Sequence, residues 1–194
     1  MDGENVKPNE ESKEEKVPIS RALALYLHDI VYLLCAMMIL LVLVFRIVVV
    51  SGTSMNMTLL DGDYLLLLSN TFYREPKPGD IIVVSKDSFD DGAAFVKRVI
   101  ATEGQTVDID FQQGIVYVDG VALVEPYINN LTTTSGDMKF PLVVEDGCVF
   151  AMGDNRGISK DSRYSDIGQI DARDILGKAI FRLYPFDERN IYDY

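Results

Sequence analysis

The chain has 194 residues, with 18 Lys and Arg against 30 Asp and Glu, a formal net charge of −12 and a sequence pI near 4.4. That balance argues against a protein that grips nucleic-acid backbones, which takes a basic face. One histidine, His28, and two cysteines, Cys35 and Cys148, exclude a Ser-His-Asp triad or a Cys-His pair in the later part of the chain, and with them a multi-histidine metal site. No metal and no cofactor is expected, and a hydrolase built here needs a base other than histidine.

Residues 1–17 are charged and nearly free of large apolar side chains, so residues 1–20 are read as a disordered tail. From Ala22 to Val50 the chain is overwhelmingly apolar. Its uninterrupted part, Ile30–Phe45, measures roughly 24 Å as a helix. Leu25–Leu27 or Ile47–Val50 extend it to the roughly 30 Å of a hydrocarbon core. Residues 21–50 are therefore read as one transmembrane signal-anchor helix, with His28, Asp29 and Arg46 near the interfaces. A core helix apolar on all sides needs a larger protein around it. A cleaved signal peptide fits poorly with the long acidic leader and lacks a small-x-small exit. Lys13, Lys16 and Arg21 precede the span and only Arg46 follows closely, so the N-terminus is expected in the cytoplasm and the later domain outside the cell membrane. Cys35 and Cys148 are then kept apart, and no internal disulfide is expected.

Residues 51–194 read as an extracytoplasmic domain that is mostly antiparallel β-sheet. Short apolar runs alternate with turn signals. Strands are expected at Tyr64–Leu68, Ile81–Val84, Phe95–Ile100, Thr106–Asp110, Ile115–Val118, Val121–Val124, Leu142–Val144, Cys148–Met152 and Ile175–Leu183. Glu125–Asp137 is polar and reads as a loop or insertion. Gly153–Asp171 reads as a long loop, a class that is often functional.

Three stretches carry chemistry. Ser51-Gly52-Thr53-Ser54-Met55-Asn56-Met57-Thr58-Leu59 places small residues and hydroxyls where the apolar span ends, with Ser54 as candidate nucleophile. In Phe95-Val96-Lys97-Arg98-Val99, strand alternation puts Lys97 on one face with Phe95 and Val99, and Arg98 on the other. Such a lysine is either an edge-strand guard against aggregation or a desolvated amine whose lowered pKa lets it take a proton from a serine. Gly153-Asp154-Asn155-Arg156-Gly157-Ile158-Ser159-Lys160-Asp161-Ser162-Arg163 is dense in turn formers, acids and arginines; Asp161 can pair with Arg163, and Ser159 can offer its hydroxyl to an amine.

In this order behind one apolar span, the three stretches resemble the boxes of bacterial type I signal peptidases, membrane-bound Ser/Lys endopeptidases. The resemblance implies Ser54 as nucleophile, its backbone N–H in the oxyanion hole, and Lys97 as general base. It implies Ser159 orienting the amine, and Asp161 and Arg163, with Arg98, holding the site together. Val48, Val50, Met55, Leu59, Phe95 and Val96 are implied as walls of shallow pockets for small residues before the cut. Preproteins and membrane lipid are the implied partners. The chain departs from the pattern at Met57, where the family usually has Pro, and at Gly52, where some relatives carry a serine as second oxyanion donor; Ser51 and Thr53 are the candidates for that role here. Two other readings stay open: a soluble self-cleaving Ser/Lys peptidase, disfavoured by the span and the acidity, and a non-catalytic membrane-anchored binding protein of the same fold.

Overall fold

The computed structural model describes residues 19–86, 89, 92–186 and 190–192. The expected disordered tail therefore lies, except for its last two residues, outside the described part.

Helix α1 spans Ile19–Val44. Its 22-residue section Leu23–Val44 is long and apolar enough to cross a membrane. Its leucines, isoleucines and valines are exposed around the whole circumference up to Leu43, as suits a helix solvated by lipid rather than by protein.

The helix expected over residues 21–50 stops at Val44, and Phe45–Val49 forms strand β1 instead. Helix and strand both satisfy the backbone, so the side chains and the neighbour decide. Phe45, Ile47, Val48 and Val49 are aromatic or β-branched and favour a pleated surface. A full ladder is available, from Phe45↔Leu68 to Val49↔Tyr64 on β2 (Tyr64–Ser69).

The other expected strands form within a residue or two of their expected ends: β3 (Ile81–Val84), β4 (Phe95–Thr102), β5 (Thr106–Asp110), β6 (Ile115–Val118), β7 (Val121–Ala122), β8 (Leu142–Val143), β9 (Cys148–Met152) and β11 (Ile175–Tyr184). A short β10 (Ile170–Asp171) interrupts the long loop. The strands make a seven-stranded sheet, β1-β2-β11-β3-β4-β9-β10, and a four-stranded one, β7-β6-β5-β8. Each described pairing is antiparallel. Cys35 and Cys148 are both free.

Alternation along the strands divides the core. Ile81 and Val83 of β3 join Leu65, Leu67 and Ala179 in one apolar cluster, which Val50, Met55, Leu59 and Ile191 complete. Ile82 and Val84 face the opposite cluster with Val99, Val149, Ala151 and Ile167. The four-stranded sheet packs on the far ends of β4 and β9 through Ile100, Ala101, Phe150 and Met152. One rung of the large sheet is made by a side chain. β11 and β3 pair as far as Lys178↔Ile82; beyond that, the Tyr192 hydroxyl accepts from Ile81 N–H (3.2 Å) and donates to the Ala179 carbonyl (2.7 Å).

Candidate active site

The segment after β1 is folded by local bonds and then clamped from outside. Val50 N–H reaches the Asp63 carbonyl (2.8 Å), and Leu59 N–H closes a turn on Met55 (2.9 Å). Met55 and Leu59 pin the segment by full burial in the first apolar cluster. Gly52 has φ +89°, a left-handed conformation that a serine would adopt only under strain. Its N–H is committed to Asp61 Oδ1 (2.8 Å). The clamp is Asn155: its backbone N–H donates to the Ser54 carbonyl (3.0 Å), and its Nδ2 donates to the Thr53 carbonyl (3.1 Å).

β4 lies between β3 and β9, and its Lys97 is 4% exposed. Lys97 Nζ sits 2.9 Å from Ser54 Oγ and donates to the Val96 carbonyl at 3.0 Å. Burial pushes the amine down from 10.5 to about 8; Asp161 and Asp154 pull it back up, and Arg163 adds a smaller push down. The Phe95 ring is 5.4 Å from the same nitrogen.

Arg98, next along the strand, points to the other face. It is bonded through Nε and Nη2 to Asp154 (2.8 and 2.7 Å), with Nη1 on the Gly79 carbonyl (3.0 Å) and its guanidinium 4.0 Å from the centre of the Tyr127 ring. Asp161 and Arg163 pair with each other, as their spacing suggests, whereas Arg98, which the resemblance groups with them, takes Asp154 as its own acid. Arg163 Nε and Nη2 donate to Asp161 (2.8 and 2.9 Å), and Asp161 also takes the Gly153 N–H (3.0 Å). A bidentate carboxylate saturates one guanidinium fork, so each arginine needs its own acid.

Ser159 departs from expectation as well. Its buried hydroxyl has no hydrogen-bond partner and does not hold the Lys97 amine; the Val96 carbonyl takes that place. It packs against Gly153, where a Cβ would collide with Ser159 Oγ and lie 2.5 Å from the Ser54 carbonyl oxygen. Glycine at this position lets the long loop close on the nucleophile segment.

Of the expected pocket residues, Val50, Met55 and Leu59 are core members of one cluster, with Val48 and Val96 packed against it. Phe95 is not among them and packs in the opposite cluster, edge-on to Phe89. Sequence reasoning missed Glu125, which binds Arg156 through Oε2 to Nη1 (3.0 Å) and Oε1 to Nη2 (2.5 Å). It also missed the clamping role of Asn155. Among the described residues no group of His, Cys, Asp and Glu is arranged to hold a metal ion.

Comparison with known proteins bears on the same stretches. The family model described as signal peptidase, peptidase S26, matches residues 23–184. A probable signal peptidase I-1 of Synechocystis sp. is 40% identical over 144 residues, 70% of this chain and 69% of that protein. A signal peptidase I of Bacillus licheniformis is 35% identical over 151 residues, 72% of this chain and 76% of its own. A crystal structure of a signal peptidase I from Enterococcus faecalis V583 aligns with a TM-score of 0.45 at 30% identity, covering 54% of this chain and 96% of that one. The matched region takes in the serine segment, β4 and the Gly153–Arg163 loop together, and on that extent of similarity the chain belongs to the signal peptidase family, peptidase S26.

Proposed function

We propose that the chain is a membrane-anchored serine endopeptidase that removes signal peptides from exported preproteins, with Ser54 as nucleophile and Lys97 as general base. The observation that carries this is the 2.9 Å contact between Ser54 Oγ and a lysine amine from which water is excluded. A neutral amine can take the hydroxyl proton; an ammonium cannot, and burial is what makes the neutral form accessible near pH 8.

In this reading Ser54 Oγ attacks the carbonyl carbon of the scissile peptide while its proton passes to Lys97 Nζ. The negative charge that develops on the carbonyl oxygen is met by the Ser54 N–H; one such donor is typically worth about 3–4 kcal/mol. Collapse breaks the C–N bond, the ammonium of Lys97 protonates the departing amine of the mature protein, and the signal peptide remains as an ester on Ser54. Water then gives a proton to Lys97 and attacks the ester; as the ester C–O bond breaks, the Lys97 ammonium returns that proton to Ser54 Oγ, which frees the signal peptide and restores both the serine and the neutral amine.

The substrate would lie as an extended strand beside the site. The partly buried Val48 and Val96, backed by the core residues Val50, Met55 and Leu59, with Phe95 beside the amine, would admit small side chains one and three residues before the cut. α1 serves as the anchor, with a cytoplasmic N-terminus and membrane lipid around it. Tethering raises the effective concentration of enzyme on substrates in the same bilayer.

The test is processing of a reporter preprotein in detergent or lipid. Ser54→Ala and Lys97→Ala are each expected to abolish cleavage while the fold persists, and Leu in place of Ala before the cut is expected to block it. Cleavage by Lys97→Ala would refute the dyad; inactivity of the unaltered protein on every preprotein tried would favour a non-catalytic binding protein.

A further inference from the structure

We propose that Glu125 is a positioning residue of the Ser54–Lys97 site, acting through the Arg156 guanidinium on the Gly153 peptide. This rests on the reading that Ser54 and Lys97 perform the chemistry.

Glu125 opens the polar stretch between β7 and β8. That stretch lies along the Gly153–Arg163 loop in the same direction as a strap. Asn129 N–H donates to the Asp154 carbonyl (3.0 Å), and Asn130 Nδ2 approaches Asn155 Oδ1 (3.4 Å). Arg163 Nη1 donates to the Thr134 carbonyl (2.7 Å), and Met138 N–H donates to the Arg163 carbonyl (3.0 Å). Asp137 receives both the N–H and the hydroxyl of Ser165 (2.6 Å each). Gly136 lies so close to the Arg163 carbonyl that a Cβ there would overlap it.

The strap begins with a buried ion pair. Arg156 is fully buried and the Glu125 side chain is 6% exposed. Arg156 Nη1 also donates to the hydroxyl of buried Thr132 (2.7 Å). Its Nε donates to the Gly153 carbonyl (3.1 Å). Gly153 is the residue pressed against Ser159 Oγ and the Ser54 carbonyl.

Three arginines in this region, Arg98, Arg156 and Arg163, are 0% exposed. Asp154 and Asp161 neutralise the first and last from within the loop. Glu125 neutralises the middle one from the strap, so the loop depends on a residue outside itself for charge balance. An unpaired buried cation does not stay in place; it moves toward water and takes its contacts with it. Losing Glu125 would therefore release the Gly153 carbonyl, loosen the packing of Gly153 on Ser54 and Ser159, and admit water toward Lys97.

A loss of stability alone would scale activity down equally at every pH. A wetter amine would do something different. The charges that bear on Lys97 are Asp161, Asp154 and Arg163. Glu125→Gln leaves all of these in place, so its effect on the amine comes through hydration and raises the pKa from about 8 toward its ordinary value.

The experiment is kcat/KM against pH for the full chain in detergent, on a preprotein substrate, well below the unfolding temperature of each variant. Glu125→Gln is expected to move the acid limb to higher pH and to lower kcat by about ten- to a hundredfold, the scale of a small misplacement of reacting groups. Glu125→Asp, which keeps the charge, is expected to return the limb toward its original position. Should Glu125→Gln fail to fold, Arg156→Lys takes its place: it keeps the positive charge but cannot reach both Glu125 and the Gly153 carbonyl as the guanidinium does, and it is expected to move the limb the same way. A limb that stays put or moves down in the folded variant overturns the proposal. Survival of activity in Ser54→Ala would instead overturn the reading of the site.

Discussion

At the residue scale, Lys97 works against the fold that holds it. Its folded pKa of about 8 lies below the ordinary 10.5, so between those values the unfolded chain binds the proton more tightly. Stability linked to this group therefore rises with pH from 8 to 10.5, and below 8 the full penalty applies. The gap between 10.5 and about 8 is on the order of 3 kcal/mol at ~1.4 kcal/mol per unit. Lys97→Met is accordingly expected to be inactive yet more stable than the unaltered chain at pH 7, with the gain shrinking above pH 8; denaturant unfolding at several pH values would show it. Ser54 and Lys97 could be picked out because each stands in a recognisable stretch and no histidine competes for the role. Glu125 could not: one acid in a polar, turn-rich stretch looks like any solvated carboxylate, and only the fold reveals the buried arginine it meets.

At the element scale, strands with clear alternation and turn signals at both ends were legible almost to the residue, β3, β5, β6 and β9 among them. β1 was not. Phe45–Val49 carries the apolar run on past a single charge, Arg46, which also suits a membrane interface, and the waiting edge of β2 decides between the two conformations. The Tyr192 bridge was equally hidden, because a tyrosine far along the chain carries no local sign that it will close a rung between β3 and β11. Tyr192→Phe leaves a backbone N–H and a carbonyl without that partner, which costs about 1–3 kcal/mol when such groups are buried. A lower denaturation midpoint with unchanged Ser54–Lys97 chemistry is the expected result; an unchanged midpoint would mean that water replaces the hydroxyl.

At the scale of the whole domain, the sheet formed by β1, β2 and β11 is apolar on both sides. Leu65, Leu67 and Ala179 face the core, while Ile47, Val49, Tyr64, Phe181 and Tyr184 are exposed on the other side. Contiguous apolar surface of this kind makes a protein seek detergent, lipid or another copy. Replacing Ile47 and Phe181 with serine is expected to raise the solubility of residues 45–194 without detergent, measured as the monomer fraction in gel filtration. Across the domain, β4 is where both layers of the core meet a charge. Its adjacent Lys97 and Arg98 look to opposite sides, each toward a destination that suits only one of them. A pairing shifted by a single place would send a guanidinium, which never gives up its proton, to the serine, and strand a flexible amine beside Asp154. Such a mispaired chain would be both catalytically dead and electrostatically mismatched, so the two neighbours act together as a proofreader of strand alignment.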